Sequence, residues 1–143
     1  LAEFQPQLVA FVCEHYGLEG LKEAGEEGFT LPAALEIIRV PCSSRVEMIH
    51  ILNALEKGAD GVYLVGCLEG DCYFRKGNLR AKKRIGYLKD LLIKIGLEAE
   101  RIEMFNLEGH TGDSFRQAYQ IMEERLKPLG PSFLKNGKEG EEK

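Results

Sequence analysis

Four cysteines are the residues of this sequence best suited to chemistry: Cys13, Cys42, Cys67 and Cys72. Thiolates bind soft metals and iron–sulfur clusters or exchange disulfides, and protonated thiols pack as small apolar groups. Only Cys67 and Cys72 are close in sequence, as a C-x4-C pair. Structural zinc usually draws on two tight C-x(2–4)-C knuckles, whereas plant-type 2Fe–2S ligand sets include a C-x4-C step. Spacing therefore leaves a cluster and a zinc ion almost level. A redox disulfide between Cys67 and Cys72 lacks the C-x-x-C spacing. Four buried structural cysteines are the remaining reading.

The elements that must position these residues alternate along the chain. Leu8–Val12, Leu35–Val40 and Gly61–Gly66 are apolar runs of strand length, and Arg101–Leu107 reads as a fourth strand, at an edge. Helical periodicity fills the gaps. Ser44–Lys57 places Val46, Ile49, Leu52 and Leu55 at three-residue steps, with Ser43 or Ser44 as cap and Gly58 as stop. Asn78–Ile95 carries Ile85, Leu88, Leu91, Leu92 and Ile95 on one face and is stopped by Gly96. Asp113–Leu126 carries Phe115, Tyr119, Met122 and Leu126, and Leu18–Ala24 is a short helix weakened by glycines. Strands alternating with helices predict an α/β single domain: a mainly parallel four-stranded sheet with helices on both faces. The domain is expected over residues 1–130. Residues 131–143, ending in KNGKEGEEK, are expected to form a charged, disordered tail.

In that arrangement Cys13, Cys42 and Cys67 end the first three strands, and Cys72 lies in the loop after the third. The carboxyl ends of parallel strands share one edge, where open α/β folds hold ligands. Four cysteines distant in sequence are therefore expected to converge. Gly66 and Gly70 flank Cys67 and allow close backbone approach, and Pro41 stiffens the approach to Cys42. Amides exposed there would donate to sulfur and raise the potential of a cluster.

Composition narrows the function. The chain has 143 residues, 44% hydrophobic and 29% charged, with a net charge of −4 and no Trp. This gives no reason to expect nucleic acid. No apolar run reaches the roughly 20 residues of a membrane helix, and the start, LAEFQPQ, has no basic region of a signal peptide. Cysteines without a secretion signal fit a reducing, cytoplasmic setting. Arg75, Lys76, Arg80, Lys82, Lys83 and Arg84 form a basic segment beside Cys72. It is either a solvated helix face or a docking surface that offsets a cluster's negative charge. His50 reads as structural, and His110 as part of a loop, E-G-H-T-G-D, with Thr111 or Asp113 as helix cap. No G-x-G-x-x-G or Walker pattern supports nucleotide binding.

Two stretches, R-V-P-C-S-S-R at 39–45 and G-C-L-E-G-D-C-Y-F-R-K-G-N-L-R-A-K-K-R at 66–84, resemble the delta subunit family of methyl-viologen-reducing hydrogenase, as does A-L-E-K-G-A-D-G-V between them. The resemblance runs from about Val9 to about Leu126. It implies a 2Fe–2S cluster and no independent catalysis. It also implies electron relay between a hydrogenase, or another dehydrogenase module, and a heterodisulfide reductase A-like flavoprotein. Carried over by residue, the ligands are Cys13, Cys42, Cys67 and Cys72. The family usually has a second cysteine just after the first, where this sequence reads C-E-H-Y-G. Four thiolates suffice, so an all-cysteine site is expected, with His15 as the alternative ligand that would raise the potential. The competing function is a zinc-stabilised interaction module of a multisubunit complex.

Overall fold

Leu8–Cys13 forms β1, and every residue of it is buried. A strand buried on both faces needs a layer above and a layer below. The computed structural model, which describes residues 4–14, 16–67, 77–107 and 112–132, supplies both. The remaining strands are β2 (Leu35–Val40), β3 (Gly61–Cys67) and β4 (Ile102–Leu107). The helices are α1 (Tyr16–Glu26), α2 (Met48–Glu56), α3 (Gly77–Lys94) and α4 (Gly112–Leu126). The sheet order is β2-β1-β3-β4, all pairings are parallel, and β4 is an edge as expected.

Alternate side chains divide between two cores. Val9, Phe11, Val62 and Leu64 face Ile51 and Leu55 of α2 and Ala81, Ile85, Leu88 and Leu92 of α3. Leu8, Ala10, Val12, Tyr63 and Val65 face Ala24 of α1 and Phe115, Ala118, Tyr119, Met122 and Leu126 of α4. The period of two in the strands thus assigns each helix pair to a face. This is the α/β domain expected from the alternation of elements.

Three boundaries differ from the sequence reading. The segment read as one helix from Ser44 is a 3-10 turn, Ser43–Arg45, followed by α2. Extended backbone at Val46 and Glu47 separates the two. Neither serine caps α2; Glu47 does, and its backbone N–H donates to His50 Nδ1 at 3.0 Å. With the later start, Met48, Ile51, Leu52 and Leu55 face inward and Ile49 is exposed. The Ile95 side chain, expected on the buried face of α3, lies beyond that helix and is also exposed. Helix α1 is longer than its glycines suggested. A Cβ on Gly17 would lie 2.9 Å from both Val12 Cγ1 and the Val65 carbonyl oxygen. Glycine is therefore required for the helix to approach the sheet this closely, and packing offsets its poor helix propensity. Helices α2 and α3 end at Gly58 and Gly96, as expected. Both glycines have positive φ, and the following amides, Ala59 and Leu97, bond back to Ala54 and Leu92.

Polar groups lock the amino edge of the sheet. Gln7, Asp60 and Arg101 immediately precede β1, β3 and β4. The Asp60 carboxylate accepts the Gln7 N–H at 2.8 Å and the Ser132 N–H at 3.1 Å. Arg101 is buried and donates to Glu98, to the Asp60 carbonyl and to the Gly130 carbonyl. Buried charge is tolerated there because its donors and acceptors are paired. No helix among the described residues is long and apolar enough to cross a membrane.

Candidate iron–sulfur site

The opposite, carboxyl edge carries Cys13, Cys42 and Cys67. Cys13 is the last residue of β1 and pairs in register with Val40 of β2, two residues before Cys42. Cys67 is the last residue of β3, the neighbour of β1 on its other side. Parallel pairing in this register brings three backbone positions to one edge, on the adjacent strands β2, β1 and β3. Cys72, His15, Arg75, Lys76, His110 and Thr111 lie outside the described residues, as does the tail from residue 133.

The two described thiol groups are buried: Cys13 is 2% exposed and Cys42 5%. Each has a donor aimed at its sulfur. The Gly17 N–H, in the first turn of α1, donates to Cys13 Sγ at 3.1 Å. The Ser44 hydroxyl donates to Cys42 Sγ at 3.2 Å. Hydrogen bonds to sulfur favour a thiolate, whereas burial by itself opposes its charge unless a cation is bound. Cys13 and Cys42 would suit a thiophilic metal, whose positive charge would offset the cost of burying thiolates. On β3, a Cβ at Gly66 would meet Met104 Cε at 3.0 Å and Ser43 Oγ at 3.2 Å, so that edge is also closely packed.

Sequence reasoning missed the roles of Gly17, Ser44 and Arg84. Arg84 of α3 donates through Nη1 to the carbonyls of Ser44, at 2.8 Å, and Val46, at 2.6 Å. It pins the turn that carries Cys42. The sequence groups it with the basic segment, a solvated or docking face, but its half-buried side chain makes intrachain bonds instead. Arg80 and Lys83 are exposed. His50 is structural, as expected. A cleft between α2 and β2, bordered by Glu36, Ile38, His50, Asn53 and Lys57, opens toward the amino half of the sheet and is lined by no cysteine.

A parallel sheet covered on both faces, with Cys13, Cys42 and Cys67 at its carboxyl edge, defines a small domain of the α/β class. Within that class the chain belongs to the family described as methyl-viologen-reducing hydrogenase, delta subunit, whose model matches residues 8–130. It is 36% identical over 131 residues to the D-type iron-sulfur subunit of the vhu F420-non-reducing hydrogenase of Methanococcus maripaludis, covering 92% of this chain and 98% of that protein. The subunit of the same name from Methanopyrus kandleri is 40% identical over 124 residues, 87% of this chain and 94% of the relative. A third relative is the A-type subunit of the ferredoxin/F(420)H(2)-dependent CoB-CoM heterodisulfide reductase of Methanosarcina acetivorans, 32% identical over 126 residues. That match covers 88% of this chain and 16% of the larger protein.

Proposed function

We propose that this chain is an electron-transfer protein that carries one 2Fe–2S cluster on Cys13, Cys42, Cys67 and Cys72. The observation that carries the reading is the gathering of Cys13, Cys42 and Cys67 at one sheet edge, with donors on the two described sulfurs. The relatives named as iron-sulfur subunits favour a cluster over zinc. When bound, such a cluster takes up and releases one electron at a time. The chain's own part is to hold the sulfurs, exclude water from Cys13 and Cys42, and direct N–H and O–H groups at them.

The electron path runs between a hydrogenase or another dehydrogenase module and a heterodisulfide reductase A-like flavoprotein, and the chain relays electrons without a reaction of its own. Two facts support these partners. The relatives that match over their whole length are named as hydrogenase subunits. The same domain makes up 16% of a protein named as part of a heterodisulfide reductase, so there it is covalently joined to the second partner.

Anaerobic purification and metal analysis test the reading. About two irons per chain and a reduced-state EPR signal are expected, with loss of the signal in Cys42→Ala and Cys67→Ala. Colourless protein containing only zinc would overturn it in favour of a zinc-stabilised interaction module.

A further inference from the structure

We propose that Ser44 and Arg84 act together to set the potential of the cluster: the Ser44 hydroxyl donates to the Cys42 sulfur, and Arg84 holds the turn that aims it. The proposal rests on the reading that Cys42 is a cluster ligand. A thiolate bound to iron carries no proton, so in that state the hydroxyl must be the donor. Its 3.2 Å contact then stabilises the added negative charge of the reduced cluster.

The aim of that hydroxyl depends on the turn. The Arg45 N–H bonds to the Cys42 carbonyl at 2.9 Å, and the Val46 N–H to the Ser43 carbonyl at 3.1 Å. These bonds are local and leave the Ser44 carbonyl pointing toward α3. Arg84 Nη1 closes on that carbonyl and on the Val46 carbonyl, so one guanidinium spans the turn on both sides of Arg45. Ser43 is buried beneath it. The bond to Cys13 comes from a backbone amide, which is lost only through proline or a displaced helix. The bond to Cys42 comes from a side chain, so at this ligand the potential is open to adjustment by sequence.

The experiment is an EPR-monitored redox titration of the anaerobically purified full chain, with iron per chain measured in parallel. Ser44→Ala is expected to keep its iron and to fall in potential by about fivefold in the reduction equilibrium, the equivalent of one net hydrogen bond. Ser44→Thr, which keeps the hydroxyl, is expected to match the wild type. Arg84→Met is expected to move the potential in the same direction as Ser44→Ala. Combining the two should give less than the sum, because both act through one bond. A wild-type potential in iron-replete Ser44→Ala, or full additivity, would overturn the proposal. Should Ser44→Ala lose its iron, Arg84→Lys decides: a potential below wild type supports the proposal and an unmoved one overturns it. A wild-type chain that takes up no iron would instead overturn the cluster reading, and this proposal with it.

Discussion

Gly17 lies where backbone and sheet are closest beside a cysteine, and it does two things there. Its missing Cβ lets α1 close onto β1 and β3, and its amide reaches Cys13. Gly17→Ala must displace the Val65 backbone or the helix, so a loss of about 1–3 kcal/mol is expected in urea denaturation. Gly66→Ala should cost less, because its nearest neighbour is the flexible end of Met104. Tyr63 provides the opposite sign. Its hydroxyl is buried without a hydrogen-bond partner among the described residues, and burial, then Tyr119, push its ionisation above the usual tyrosine value. Tyr63→Phe removes an unsatisfied group and should leave stability unchanged or higher in the same measurement. The cysteines were legible in the sequence because their type announces their chemistry. Ser44 and Gly17 were not, because a serine or glycine acquires a role only from what the fold places against it. Arg84 was hidden further by the 40 and 38 residues that separate it from its acceptors.

At the scale of elements, hydrophobic period predicted the four strands and four α-helices of the described residues, but not every boundary and not the 3-10 turns. Val46, just after the 3-10 turn at Ser43–Arg45, lies three residues before Ile49, a helical spacing, so the two read as one stripe. The actual break comes from the extended Val46–Glu47 backbone, beside which Arg84 binds the Val46 carbonyl. Tertiary contact overrode local pattern there. Between elements, Glu103 of β4 joins both helix layers, accepting Lys89 of α3 at 2.9 Å and Arg125 of α4 at 3.1 Å. Burial acts to raise its pKa. The hydrogen bonds from Lys89, the Met104 amide and Arg125 outweigh burial and hold it below the usual carboxylate value. Glu123 is also lowered, chiefly by the Tyr119 hydroxyl, and Glu98 chiefly by Arg101. Carboxylates with lowered folded pKa values contribute stability that is full above their unfolded value, about 4.3. That stability is lost as pH falls through the folded values. The urea midpoint should therefore hold down to about pH 5 and then drop. Glu103→Gln should flatten that drop and cost about 1 kcal/mol at neutral pH.

For the whole molecule, the parallel sheet follows from central strands that are apolar on both faces and from helices between the strands, so the α/β class was visible in the residue pattern. The lock at the amino edge was not. The sequence assigns Asp60 no role and gives Arg101 only as the start of a strand, and only the register brings them beside Gln7, Gly130 and Ser132. Arg101→Ala would leave the Asp60 and Gly130 carbonyls short of a donor. A loss of about 1–3 kcal/mol is expected, read as a lower melting temperature. A chain ended at Leu126 lacks the Gly130 and Ser132 bonds and should melt below the full chain for the same reason.

Asp60 also brings together the two ends of the described fold. One carboxylate holds residue 7 on one oxygen and residue 132 on the other, at the edge farthest from the cysteines. A segment that continues from either point starts from that edge. A module joined there by a short linker would be held at raised local concentration beside the domain.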